Sequence, residues 1–171
     1  LTFVDRATGR PIPARITVTG PDGRAYAPDD AWRHADEAFD RALSRYEASY
    51  FHADGRASLT VPAGPVIVEA LHGLEYRPAR IEVEVPRAGA RAARVTLERI
   101  ADLKPRGWWS GDLHVHMNYG GHYRNTPEHL ALQARAEDLF TIENLVVNKE
   151  QRIPDIDLVA DGRPPRSFPP R

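Results

Sequence analysis

The pattern of apolar residues changes once along the chain, at Pro105-Arg106-Gly107, and this change most constrains the fold. Before it, short stretches alternate apolar with polar residues between turns, which is typical of an antiparallel β-sandwich. After it, residues 108–147 have the order strand, helix, strand, which is the βαβ unit of a parallel sheet or barrel. We therefore predict an α+β chain, with a sandwich at 1–104 and a second unit at 105–160.

The predicted strands of the sandwich are short and are separated by turn residues such as Gly20-Pro21-Asp22-Gly23. They cover residues 14–19, 57–61, 66–71, 81–85 and 95–97. One insertion, at 29–47, instead spaces its apolar residues as a helix does, from Trp32 to Tyr46. We expect this helix to pack against the sandwich.

The second unit begins with a predicted strand at 108–115. A helix follows at 126–138, with Thr126 as its N-cap and Pro127 at the first helical position. Residues 140–147 form the next predicted strand. The tail at 161–171 contains four prolines, one glycine and three arginines, and we predict that it is disordered.

The composition limits the possible partners and ligands. With 23 basic and 24 acidic residues the formal net charge is −1, which favours neither nucleic acid nor an anionic membrane as a partner. No apolar run approaches the roughly 18 residues that a membrane span needs. Cysteine is absent, so a metal would have to use nitrogen and oxygen ligands. The chain starts at Leu1, which suggests that an earlier segment, with any targeting signal, is missing.

Two histidines, His114 and His116, lie at i and i+2 near the end of the first strand of the second unit. Alternate strand residues point to one face about 6.5–7 Å apart, so two imidazoles can converge on one cation. Asp112 is available to orient them or to bind the metal itself. A glycine-rich turn then leads to His122, and four of the seven histidines fall in 114–129. A His-x-His pair by itself is more often two surface or core histidines, and that alternative stays open.

The other candidate residues have simpler explanations. We predict no catalytic role for His34, His52 and His72. Trp108 and Trp109 could wall a substrate pocket, but packing between the two units is the favoured interpretation.

Two sequence motifs resemble known families. Residues 11–15, Pro-Ile-Pro-Ala-Arg, and 54–64, Asp-Gly-Arg-Ala-Ser-Leu-Thr-Val-Pro-Ala-Gly, resemble the carboxypeptidase regulatory-like (prealbumin-like) β-sandwich. Residues 111–116, Gly-Asp-Leu-His-Val-His, through Asn148-Lys149-Glu150 resemble the start of a PHP-domain metallohydrolase of the carbaryl-hydrolase-like subgroup. The first resemblance implies a fold without activity, and the second implies a truncated (β/α) barrel.

The PHP resemblance also implies roles for individual residues. His114 and His116 match the first metal-binding motif, and His122 stands six residues on, where some family members have another ligand. The family's Asp-His pair at the end of the second strand is replaced by Asn148-Lys149, so this ligand is either missing or replaced by Glu150. His122 would otherwise donate a proton to the leaving group, and Lys149 would neutralise an oxyanion.

The function implied is that of the N-terminal portion of a metal-dependent hydrolase, with Zn, Mn or Fe activating water. Its small-molecule substrate would be an ester, carbamate, amide or phosphoester. The remaining family ligands have no counterpart before Arg171, so a second chain or a missing C-terminal segment would complete the barrel, and we expect this chain alone to be inactive. The resemblance favours an extracytoplasmic location. The alternative function is a non-catalytic β-sandwich binding module with an incomplete barrel.

Overall fold

The computed structural model describes residues 1–31, 50–118, 125–146 and 155. In the described part of the first unit there are eight strands: β1 (Thr2–Asp5), β2 (Ala14–Thr19), β3 (Ala25–Tyr26), β4 (Tyr50–Ala53), β5 (Gly64–Leu71), β6 (Tyr76–Arg77), β7 (Ala79–Val85) and β8 (Arg94–Arg99). A 3-10 turn at Lys104–Arg106 follows, and then come β9 (Gly111–Val115), α1 (Pro127–Ala136) and β10 (Thr141–Asn144).

The first unit is sandwich-like, with two sheets that share one apolar core. One sheet has the order β1-β8-β6, and the other has the order β3-β2-β5-β7, with β4 also paired to β2. In β2 and β5 alternate residues are buried between the sheets, as the alternation of apolar and polar residues requires. The largest fully buried side chains come from both sheets and are Phe3, Phe51, Ile16, Leu97, Val18, Val68 and Val95.

The pairing of β1 with β8 differs from the expected antiparallel arrangement. These two strands run parallel, with Thr2 opposite Arg94 and Asp5 opposite Leu97. The other strand pairs of the two sandwich sheets are antiparallel in the described residues. A parallel pair cannot be closed by a hairpin, and here most of the sandwich forms the connection.

The predicted strand at 57–61 is wrong. These residues join no ladder, and Ala57 instead exchanges hydrogen bonds with Leu1, whose ammonium group donates to the Ala57 carbonyl at 2.7 Å. Leu59 and Val61 nevertheless pack against the core. The alternation in the sequence therefore indicates which side chains are buried. Their burial does not require that the backbone pair with another strand.

The inserted helix at 29–47 lies mostly outside the described residues. Residues 29–31 form a turn in which the Ala31 N–H donates to the Pro28 carbonyl at 3.1 Å. The predicted disordered tail at 161–171 also lies outside the described residues.

The second unit is a βαβ unit. β9 and β10 pair in parallel, with Gly111 opposite Thr141, and α1 connects them. The Thr126 hydroxyl accepts a hydrogen bond from the His129 N–H at 3.3 Å, and Pro127 is the first helical residue, as its fixed φ favours. β9 begins at Gly111, three residues later than predicted.

The two units meet where α1 packs on β2 and β4. Trp108 and Trp109 were expected at this junction, but they are 69% and 54% exposed, and Trp109 stacks on Phe140 of the second unit with ring centroids 4.3 Å apart. Polar side chains at the C-terminal end of α1 make the junction instead. No helix in the described part of the chain is long and apolar enough to cross a bilayer.

Candidate functional site

His114 lies in β9 and His116 directly follows the last residue of that strand. Their ring centroids are 5.1 Å apart, with the rings at 62° to each other. His114 is exposed, whereas His116 is half-buried where the strand ends. The i, i+2 spacing therefore brings the two imidazoles together, with one of them open to solvent.

Asp112 is on the same strand and contacts this pair through the backbone. Its Oδ1 accepts a hydrogen bond from the His114 N–H at 3.0 Å. This carboxylate therefore fixes the main chain at the first histidine of the motif. Asp112 is exposed, as is Leu113 beside it.

The chain directly after His116 is fixed by amide side chains. Asn144 of β10 accepts from the Met117 N–H at 2.9 Å. Asn118 is buried; its Oδ1 accepts from the Asn125 N–H at 2.7 Å, and its Nδ2 donates to Asp155 Oδ1 at 2.7 Å. Asp155 is itself buried, and its Oδ2 has no hydrogen-bond partner. The bond between Asn118 and Asn125 thereby links the chain on either side of residues 119–124.

The remaining predicted site residues lie outside the described residues. They are His122, Lys149 and Glu150. Among the residues that are described, no three His, Asp or Glu side chains come together as a group that could hold a metal ion. The described part of the candidate site is therefore a histidine pair with a neighbouring carboxylate.

The structure places His52 and His72 at the junction between the two units, which the sequence did not indicate. The His52 ring nitrogen Nε2 lies 3.1 Å from Glu137 Oε1, and Arg15 Nε lies 3.4 Å from the same oxygen. The ring of His72 is buried, with Nε2 4.0 Å from Asp138 Oδ1. Both histidines thus face carboxylates at the end of α1.

Asp138 is the centre of a buried ionic cluster that joins three parts of the chain. Arg99 of β8 and Lys104 of the 3-10 turn reach its carboxylate at 3.3 and 3.2 Å. Its main-chain carbonyl accepts a hydrogen bond from the hydroxyl of Ser110, the residue before β9. Asp138 is 4% exposed and has a φ of 50°, which few residues other than glycine and asparagine adopt.

The burial and charge at this junction shift two pKa values. Burial raises the pKa of Glu137, but the hydrogen bond with His52 and the charge of Arg15 together hold it below the ordinary 4.5. Burial lowers the pKa of His72 below 6.5, although the Asp138 charge opposes this shift. His72 is therefore held neutral near pH 7.

Sequence reasoning could identify the histidine pair because its geometry is local to one strand. Asn118, Asn144, Asp138 and Asp155 gave no comparable signal, because their partners are distant in the sequence or come from different elements. The one available hint was Asn118, which precedes a glycine-rich turn where asparagine often bonds to the backbone.

Comparison with known proteins gives no relative of this chain. No protein-family model, curated protein or solved structure matches it.

Proposed function

We propose that the chain is the N-terminal portion of a metal-dependent hydrolase, in which His114 and His116 bind a divalent metal. The observation that carries the proposal is the pair of imidazoles with centroids 5.1 Å apart at the end of β9. Two imidazoles that share a tetrahedral zinc ion at 2.0–2.1 Å have ring centroids about 5 Å apart. The spacing fits the requirement of one shared ion.

The surrounding side chains also suit a metal. Two imidazoles and the Asp112 carboxylate are the nitrogen and oxygen donors that zinc, manganese and iron accept. Asp155 Oδ2 is buried without a donor close to the turn that follows His116, and such an oxygen is costly unless a cation, a proton or water satisfies it. These features support the proposal from the chain's own residues.

A bound divalent metal with an open position would supply an activated water for ester, carbamate, amide or phosphoester hydrolysis. The role of this chain's residues is to orient the two imidazoles and to hold the metal. Asp112 fixes the backbone at His114, and Asn144 fixes it just after His116, so the two rings keep their spacing. His122 as proton donor, Lys149 as oxyanion partner and Glu150 as further ligand belong to the same proposal.

A second candidate is a non-catalytic binding module. It is favoured because His114, His116 and Asp112 do not form a group of three metal-ligating side chains in the described structure, whereas catalytic zinc sites have three protein ligands. In this case the histidine pair would bind a metal weakly, or not at all, and no turnover would follow.

The first test is zinc binding to the full chain, measured by elemental mass spectrometry after dialysis and by calorimetric titration. We expect near-stoichiometric zinc in the wild type and background zinc in His114→Ala, in His116→Ala and in the double variant. His129→Gln is the matched control, since it removes a histidine of the same segment that lies on α1, and we expect it to keep its zinc.

Equal zinc in the wild type and the double variant would refute the metal proposal. A chain that binds zinc through the pair is next assayed on p-nitrophenyl acetate, p-nitrophenyl phosphate and an aryl methylcarbamate. Zinc-dependent turnover that the double variant lacks would support the hydrolase, while bound zinc without turnover would favour the binding module.

A further inference from the structure

A cavity of about 340 Å³ opens where the sandwich meets α1. It lies between the turn at 28–31, the segment 51–58 and the first two turns of the helix. Ligand sites concentrate at such junctions and start at about 300 Å³. The cavity is separate from the histidine pair, because none of its lining residues belongs to β9.

The cavity is lined by apolar and polar side chains. Phe51 and Ala53 are buried residues of β4, and Leu132 contributes a half-buried side chain from α1. Because Phe51 is fully buried, the apolar surface open to the cavity comes from the half-buried Leu132, Ala31 and Ala57. A ligand with a small branched or aromatic body would bury that surface.

Three of the six polar lining residues already have partners in the protein. His52 faces Glu137, Gln133 accepts a hydrogen bond from Asn125 Nδ2 at 3.1 Å, and His129 also makes a contact elsewhere. These residues line the cavity, but they already interact with other groups of the protein. They are poor candidates for holding a ligand.

Two charged lining residues, one basic and one acidic, have no interaction partner among the described residues. Among the described residues, neither the Arg56 guanidinium nor the Asp30 carboxylate makes a hydrogen bond or an ion pair, including with each other. Other charged residues nearby do have partners. Arg135 lies 3.6 Å from Asp54, and Arg15 forms an ion pair with Glu137. A positive and a negative group therefore face one cavity without neutralising each other.

We propose that this cavity binds a small zwitterion, an α-amino acid with an apolar side chain. Arg56 would pair with its carboxylate, as a guanidinium does through two parallel hydrogen bonds. Asp30 would accept a hydrogen bond from the ammonium group of the ligand, and the apolar side chain of the ligand would lie on Leu132 and Ala57. A ligand with one charge alone would leave the other charged residue unsatisfied.

The experiment is calorimetric titration of the full chain with L-leucine, with isocaproate and with isoamylamine. Isocaproate lacks the ammonium group of leucine and isoamylamine lacks its carboxylate, while both keep the same apolar body. We expect saturable binding of leucine, about tenfold tighter than binding of either analogue.

Two variants and two matched controls locate the site. Arg56→Gln and Asp30→Asn should each weaken leucine binding about tenfold, while Arg87→Gln and Asp102→Asn, which make the same changes outside the cavity, should change it less than about twofold. All four residues are exposed, so circular dichroism should show unchanged folding.

Three results would overturn the proposal. They are no saturable binding of leucine, equal binding of either analogue, and leucine binding that neither Arg56→Gln nor Asp30→Asn weakens. None of these depends on zinc, so the outcome is independent of the metal proposal.

Discussion

At the scale of single residues, Asp138 has the most partners of opposite charge in the described structure. Its carboxylate is reached by Arg99 and Lys104 and faces His72, while its carbonyl receives the Ser110 hydroxyl. Its left-handed φ costs free energy that these contacts must offset. The residue thus connects β8, the linker and the approach to β9.

Replacing Asp138 should destabilise the chain because it removes the carboxylate that pairs with Lys104 and one of the two that pair with Arg99, the other being Glu75. We expect Asp138→Ala to lower the free energy of unfolding by about 2–3 kcal/mol, since Arg99 and Lys104 are only partly buried. Asp138→Asn should cost less, because asparagine tolerates the same φ. Urea unfolding checks both, with Asp102→Asn as the exposed control, expected within about 0.5 kcal/mol of wild type. A loss in Asp138→Ala no larger than in Asp102→Asn would contradict this account.

At the scale of elements, the sequence predicted the bounds of elements that depend on neighbouring residues. It missed the features that depend on partners distant in the sequence. The pattern of alternating residues located β2 at its observed bounds, and Thr126-Pro127 located the start of α1. The same pattern failed at 57–61, where side chains are buried without a ladder. The parallel direction of β1 could not be predicted, because it depends on a partner strand at the other end of the sandwich.

The N-cap of α1 offers a test at this scale. Thr126→Ala removes the acceptor of the His129 N–H and should lower the free energy of unfolding by about 0.5–1 kcal/mol, at the lower end of cap values because the bond is 3.3 Å long. Thr126→Ser keeps the hydroxyl and should stay within a few tenths of wild type, at about 0.3 kcal/mol or less. Urea denaturation followed by far-ultraviolet circular dichroism measures the difference. Equal loss in the two variants would mean that the hydroxyl does not cap the helix.

At the scale of the whole molecule, the two units are joined mainly by charged and polar groups. Glu137 and Asp138 face His52, Arg15, His72, Arg99 and Lys104 of the sandwich and linker. Gly73 lies so close to this end of α1 that a Cβ there would be 2.7 Å from the Glu137 carbonyl oxygen. The junction therefore depends on protonation as well as on packing.

Stability should fall as the pH drops below about 6.5. The lowered pKa of His72 means that the unfolded chain takes up a proton before the folded chain does, so stability is lost as pH falls from 6.5. The lowered pKa of Glu137 adds a loss below 4.5, when its unfolded form is protonated first. One such group contributes at most about 1.4 kcal/mol per pH unit.

Urea midpoints measured from pH 7.5 to 4.0 test this dependence. His72→Phe keeps an aromatic ring against Tyr76, whose centroid lies 4.6 Å from that of His72, and should reduce the slope between pH 6.5 and 5.5. Glu137→Gln should reduce the slope below pH 4.5 instead. A His72→Phe variant with the wild-type slope in its window would show that this histidine is not the responsible group.

The parallel pairing of β1 with β8 also sets an order of events during synthesis. β1 is synthesised before β8, whose residues 94–97 form a ladder with it, and nearly all of the sandwich lies between the two strands in the sequence. Until then Phe3, a core residue, has no complete core to enter, and contacts between such distant residues form slowly. β1 therefore lacks its ladder partner until nearly all of the sandwich has been made, and during this interval the chain is open to aggregation or chaperone capture.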